Sequence, residues 1–374
     1  MVYSTFLSAT KIGLKFSIMY SSVLNQSLHQ RRGLTNFIRL AAAIAVLISH
    51  SGPLSGFGFD LLVGRSALGE VAVSTFFVFS GYFVFSSGIA HTIKDFMVLR
   101  FARLFPALLV TNFLLAFVIG PFFSLLSNVE SYWGDSYSPF SYFFYNSVLL
   151  FGLQARLADL FSEVPYQYVV NGSLWTLPTE LKCYALCALV ALLVKLSNGK
   201  FFLYLSFFSV MLLYVLGVQG NEWVNAQVPL STSRLVLVFL SGALVTYFKV
   251  GNYSLALLWL YLPFAMLLVA VWSYPSLAPF LYCSLIPVIA HIPLKISAIF
   301  RFLQQRDFSY GAYLWAFPIQ QVIMQFDLVR DPYSLSVIAT FFTLLLAAGS
   351  WYLVENPSIR YARSKLNILE RGRE

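Results

Sequence analysis

The chain has 374 residues, of which 59% are hydrophobic and only 10% charged, with a net charge of +9. A soluble domain carries about 25% charged residues, so this composition leaves too few to cover a water-facing surface. The basic balance would suggest nucleic acid in a soluble protein; here Lys and Arg sit between long apolar runs, and membrane topology accounts for them. Cys183, Cys187 and Cys283 fall in apolar stretches without paired spacing. They read as small buried apolar residues, neither a disulfide framework nor a metal site.

Along the chain, Lys11 and Lys15 interrupt the apolar stretch of the first thirty residues. An amphipathic helix on the inner surface is expected there, and a signal peptide is not. Ten apolar stretches follow that are candidates to span a bilayer. They cover residues 36–50, 68–87, 101–125, 177–194, 201–218, 234–248, 253–272, 277–292, 308–326 and 334–354. Residues 140–151 are apolar but too short, and a re-entrant or interfacial helix is expected.

An even number of spans places both termini on one side. With the termini inside, eighteen of the 24 Lys and Arg residues fall in inner segments. Arg65, Arg156, Arg234 and Arg330 fall outside, and Arg39 and Lys182 lie within spans. That bias puts the N- and C-termini in the cytoplasm. The longest outer segment, residues 127–176, is rich in Tyr, Ser and acidic residues. The expected fold is an all-α membrane protein, a polytopic bundle of about ten transmembrane helices. Residues 1–33 and 364–374 are expected to be cytoplasmic tails flanking a membrane domain over 34–363.

Ionisable residues within spans are costly and are functional candidates by default. Arg39 and His50 are almost three turns apart, so they share one face of the first span, about 16 Å apart along its axis. Ala42, Ala43 and Val46 between them allow a helix or a thin ligand to approach. A plainer account has Arg39 snorkelling inward and His50 capping the helix, but it does not require the shared face. Glu180 enters the fourth span from outside and is expected at about the depth of His50. A carboxylate there orients an imidazole or raises its basicity, as a general base requires. The bland account is a first-turn Glu favoured by the helix dipole, with Pro178 beside it. Lys182 points away from that face. Arg100 and Arg103, three apart at the cytoplasmic end of the third span, suit a phosphate clamp and positive-inside anchoring equally. HExxH, GxxxxGK[ST] and clustered Cys/His ligands are absent, so neither a metal nor a nucleotide cradle is expected.

Six motifs occur in order: Arg39-x10-His50, Phe76-Phe-Val-Phe-Ser-Gly81, Arg100-x-x-Arg103 with Pro106, Ser173-Leu-Trp-Thr-Leu-Pro-Thr-Glu180, Phe308-Ser-Tyr-Gly-Ala-Tyr-Leu-Trp315 and Glu355-Asn-Pro357. Together, over roughly residues 34–363, they resemble the membrane-bound acyltransferase 3 family. The resemblance implies transfer of an acyl group, usually acetyl, from cytoplasmic acyl-CoA to a hydroxyl of an extracytoplasmic carbohydrate, such as a surface polysaccharide or lipopolysaccharide. It implies that His50 is the essential histidine, acting with Glu180 and with Arg39, the first-span arginine, and that Arg100, Arg103 and Arg39 bind acyl-CoA. Glu180 matches the family's glutamate, with Thr176 where Ser is common.

Two departures stand out. Ser74 occupies a position where many members have Asp, with Glu70 one turn earlier as a substitute, and Ala316 stands where many have a second histidine. Some members carry a further C-terminal hydrolase-like domain; this chain ends about ten residues past residue 363, where the resemblance stops, and is expected to complete the transfer alone. Acyl-CoA, a carbohydrate acceptor and the lipid bilayer are the implied partners, without nucleic acid or metal. The implied location is the inner (plasma) membrane. The alternative class is a multi-span transporter of a glycan precursor or anionic solute, which should show two related halves; none is evident.

Overall fold

The computed structural model describes residues 32–58, 61–63, 66–126, 131–197, 201–245 and 298–366. The expected spans at 253–272 and 277–292 lie outside these residues, as do the first 31 residues. Within them the chain is a helical bundle. The first helix, α1, covers Arg32–Leu54. A two-residue hairpin, Leu62–Val63 against Ser66–Ala67, leads into α2, Leu68–Ala90. Thr92 caps the next helix by accepting from the Asp95 amide, and α3 covers Ile93–Leu114. A π-helical turn, Leu115–Ile119, joins it to α4, Gly120–Leu126. The looser turn frees the Ala116 carbonyl, which accepts from the Tyr132 hydroxyl at 2.6 Å.

Among the described residues between 131 and 171 there is one helix, α5, Pro139–Val148, at the place of the expected short interfacial element. Hydrogen bonds between Asn146 and Gln154 close the loop behind it, and Arg156 lies between the rings of Tyr137 and Tyr168. A 3-10 turn, Gly172–Thr176, then leads into α6, Leu177–Ser197. Next come α7, Phe201–Val218, the short α8, Glu222–Gln227, and α9, Leu230–Val245. The C-terminal part holds α10, Ala298–Leu303, α11, Ser309–Gln325, and α12, Pro332–Ser350. A second π-turn, Trp351–Glu355, continues into α13, Asn356–Lys365.

Among the described residues, six helical segments are long and apolar enough to cross a membrane. Two of them, Ile93–Leu126 and Pro332–Lys365, run on through their π-turns for 34 residues each. The shorter α9 and α11 occupy two further expected spans, so eight of the ten stretches read from the sequence coincide with helices. This is a multi-pass membrane protein.

Helix α11 is buried on almost every side, as befits the centre of a bundle. It packs against α1 and α12, while α2 crosses α9. That crossing depends on two glycines. A Cβ on Gly81 would lie 1.8 Å from the Phe239 carbonyl oxygen, and one on Gly242 would lie 2.0 Å from that of Val78. Small residues let transmembrane backbones approach this closely where lipid provides no hydrophobic drive. Gly81 of the Phe76–Gly81 motif is thus a packing residue, whereas Phe76, Phe77, Phe79 and Ser80 line the cavity described below.

Gly81→Ala should force the two backbones apart and destabilise the bundle by about 1–3 kcal/mol, the usual cost of overpacking. Gly349→Ala, whose Cβ meets nothing within 4 Å, should be neutral or mildly stabilising. Thermal unfolding of the detergent-solubilised variants checks the contrast, and equal midpoints would contradict the crossing.

Candidate active site

A cavity of about 790 Å³ runs along one face of α2. Val73, Phe76, Ser80, Phe83, Ser87 and Ala90 recur along it at helical spacing. From Val73 to Ala90 the axis rises about 25 Å, close to the roughly 30 Å of a bilayer's hydrocarbon core. Arg39 of α1, Arg100 and Arg103 of α3, Glu180 and Tyr184 of α6, Tyr310 and Tyr313 of α11, and Arg360 and Arg363 of α13 also face it.

The charges at its centre are organised by one carboxylate. Asp307, just before α11, accepts from Arg39 Nη1 through Oδ2, and the same oxygen accepts from Arg103 Nη2 at 2.7 Å. The other Asp307 oxygen accepts from the Ser309 hydroxyl at 2.5 Å. Burial works against charge on Asp307, but the two guanidinium groups outweigh it and hold the carboxyl below the usual carboxylate range. Arg103 makes a second ion pair with Glu355, at 2.7 Å. Glu355 is fully buried at the end of the second π-turn and also accepts from Ser350 at 2.9 Å. Arg103 is further enclosed by the rings of Tyr310 and Trp351.

Arg100 differs from both. Its guanidinium lies 5.8 Å from the Phe96 ring centre, and its buried Nε has no hydrogen-bond partner. Glu180 lies near enough to Arg100, Tyr184 and Tyr310 to interact electrostatically with each, and its Oε1 accepts from the Tyr184 hydroxyl at 2.5 Å.

His50 lies beyond the cavity. Its ring meets Phe317 edge-on, centroids 5.4 Å apart, and Phe317 in turn touches Tyr166, in the loop before the 3-10 turn. Phe317 is one turn along α11 from Tyr313, which lines the cavity. The cavity therefore stops about 6 Å short of the His50 level along the helix axis. The α1 end is held by polar groups: Gln320 Nε2 donates to the Leu47 carbonyl at 2.9 Å and to Ser51 at 2.8 Å, and Ser336 reaches Ser51 at 2.8 Å.

Residues 35–354 match the acyltransferase domain that defines this family. The chain belongs to the acyltransferase 3 family. It is 30% identical over 343 residues, 88% of its own length and 97% of the relative's, to the O-acetyl transferase of Shigella phage Sf6. No solved structure matches it. The acyltransferase is thus an enzyme, an O-acetyltransferase embedded in the membrane, and the transporter alternative is set aside.

Of the residues singled out in the acyltransferase sequence, Arg39, Arg100, Arg103 and Glu180 share the cavity; His50 does not line it. Glu180 is also not at the depth expected. The 3-10 turn at 172–176 already sits inside the bundle, with Asn171 Nδ2 on the Leu314 carbonyl at 3.0 Å and Gly172 against Phe317. Helix α6 therefore starts near the Tyr313 level and carries Glu180 inward to Tyr310, about two turns from Phe317. Asp307 went unnoticed in the sequence, and Glu355 was noticed only within a motif. The available signal was charge balance: arginines inside a bundle require carboxylates.

Asp307→Asn should leave two guanidinium groups without their shared partner and cost about 3–5 kcal/mol, the usual penalty for breaking a buried pair. Arg330→Ala, which removes only an exposed pair with Asp327, should leave stability unmoved. Thermal unfolding of the purified variants distinguishes the two, and equal effects would contradict the central role of Asp307.

Proposed function

We propose that the enzyme transfers an acetyl group from acetyl-CoA, bound at the cytoplasmic side, to a hydroxyl of an extracytoplasmic carbohydrate such as a surface polysaccharide. In this reading the protein resides in the inner membrane, with about ten spans and both termini cytoplasmic. The observation that carries it is the elongated cavity, basic at one end and ending one turn from His50.

The pocket is suited to the donor. It is large for a small-molecule site, it extends about 25 Å along α2, and its orphaned Arg100 Nε is a donor that a phosphate oxygen would satisfy. Acetyl-CoA supplies the activated thioester. Arg100 would hold phosphate at the inner end. Arg103, fixed by Asp307 and Glu355, and Arg39, fixed by Asp307, would present their remaining N–H groups to the donor further in. Glu180 holds the Tyr184 hydroxyl at the cavity wall and balances part of the local positive charge. His50 would take the proton from the acceptor hydroxyl as its oxygen bonds to the acetyl carbon; the thioester C–S bond breaks, CoA leaves as the thiolate and receives that proton, and residues 131–171 above His50 would receive the carbohydrate.

His50→Ala should abolish acetyl transfer, a loss of at least the 10²–10⁴-fold typical of general bases, while acetyl-CoA affinity stays within about twofold of the parent. Transfer of labelled acetyl groups in membrane vesicles, with donor binding measured separately, tests this. Turnover near the parent level would remove His50 from the chemistry.

Orientation has its own test. In a cysteine-depleted background, Ser136→Cys should react with a membrane-impermeant maleimide in intact cells, and Ser364→Cys only after permeabilisation. The reverse pattern would place the basic end of the cavity outside, away from cytoplasmic acetyl-CoA.

A further inference from the structure

We infer that α13 supplies the second half of the phosphate-binding site, with Arg360 and Arg363 closing on the donor's nucleotide end opposite Arg100. The inference rests on the donor reading above and adds residues that no motif marked.

Helix α13 turns one face to the cavity. Asn356, Ile359, Arg360 and Arg363 all line it, at the spacing of a single helical stripe. The helix packs against α3, which carries Arg100, and the Arg363 charge lies close enough to interact with both Arg100 and Arg103. Like charges this close repel, and the repulsion needs compensation. For Arg39 and Arg103 it is present, because Asp307 and Glu355 meet them directly. Neither Arg100, Arg360 nor Arg363 forms a salt bridge with a carboxylate among the described residues. Glu180 acts on Arg100 only through its field, since its hydrogen bond goes to Tyr184. Lys195 adds a further cation at the same mouth, where its Nζ donates to the His91 carbonyl at 2.5 Å, and His91 itself lines the cavity.

The charges thus divide by role. Arg39 and Arg103 are neutralised and position the walls. Arg100, Arg360 and Arg363, which form no salt bridge among the described residues, make a cationic rim on two helices, at the end of a cavity that can admit a ligand. The ligand chemistry is phosphate carrying several negative charges. A nucleotide with a diphosphate and a separate phosphomonoester offers enough anionic groups to engage arginines on opposite walls, whereas one lipid headgroup offers a single phosphate. The geometry therefore favours the nucleotide end of the acyl donor.

The test is direct binding of CoA and of 3′-dephospho-CoA to the purified full-length enzyme in neutral detergent. The parent should prefer CoA. Arg360→Ala with Arg363→Ala should lower CoA affinity by roughly ten- to a hundredfold per lost contact and erase the preference. Lysine at both positions should restore part of the affinity, and a thermal midpoint close to the parent's would exclude misfolding as the cause. An alanine variant that keeps both CoA affinity and the preference overturns the assignment. So does one that loses only retention on phosphatidylglycerol vesicles, which would make the rim a lipid headgroup site. Failure of the parent itself to bind CoA would instead remove the donor reading on which the inference stands.

Discussion

One carboxylate oxygen, Asp307 Oδ2, accepts from two arginines that lie on separate helices. Inside a lipid-embedded bundle, a guanidinium must find an acceptor or stay out. Asp307 meets that requirement for Arg39 of α1 and Arg103 of α3 together, and Glu355 completes it for Arg103. Four segments far apart in sequence are thereby drawn to one point: α1, α3, the turn before α11 and the π-turn before α13. Nearby hydrogen bonds follow the same convergence. The Asn36 amide donates to the Leu303 carbonyl at 2.7 Å, and the Tyr310 hydroxyl donates to the Leu104 carbonyl at 2.8 Å. The cavity is the space left between these helices, so its shape depends on the ionic knot at its wall.

That dependence separates arginines held by carboxylates from one that is not. Arg103 has carboxylates on both Nη atoms and aromatic rings beside it, and its orientation is fixed before any ligand arrives. Arg100, one turn away on the same helix, has an aromatic neighbour and an unsatisfied Nε. Two arginines of one motif, three residues apart, thus have opposite electrostatic circumstances. Preorganisation of this sort lowers the cost of binding, because the side chains that must be ordered are already ordered.

Much of this was legible in the sequence, and the boundary of legibility is physical. Hydrophobic runs are local, so the eight helices at expected positions could be read directly, down to Phe201–Val218 at its exact ends. The shared face of Arg39 and His50 followed from helix geometry alone, and the structure places the two toward opposite ends of that face. What failed was whatever depended on partners remote in the chain. Asp307 lies 268 residues from Arg39, and no periodicity links them. Glu180 was placed too shallow because the 3-10 turn before α6 runs inside the bundle instead of at its edge. Gln320 and Gln321, polar residues in an apolar helix, tie α1 and the loop before the 3-10 turn to α11, Gln321 through the Tyr166 and Val169 carbonyls at 2.8 and 2.6 Å.

The interval between the cavity and His50 follows from the same packing. Tyr313 donates its hydroxyl hydrogen to the Ser173 carbonyl at 2.7 Å, so the 2.7 Å contact with Thr176 must have the threonine as donor. Phe76 meets the Tyr313 ring edge-on at 5.9 Å, and Phe317 continues the same wall one turn further out. A polar passage about 25 Å long through a bilayer would conduct protons and ions if it ran unbroken to the far side. The aromatic wall, fastened by Tyr313 and Thr176, divides the basic cavity from the level of His50. Under the proposed reading, the acyl group is small beside the nucleotide that carries it, so a barrier one helical turn thick would close the cavity while leaving only a short distance to be bridged. The threonine at position 176 suits this arrangement: its hydroxyl joins the hydrogen-bonded wall while its methyl group adds apolar bulk at the point where the cavity ends.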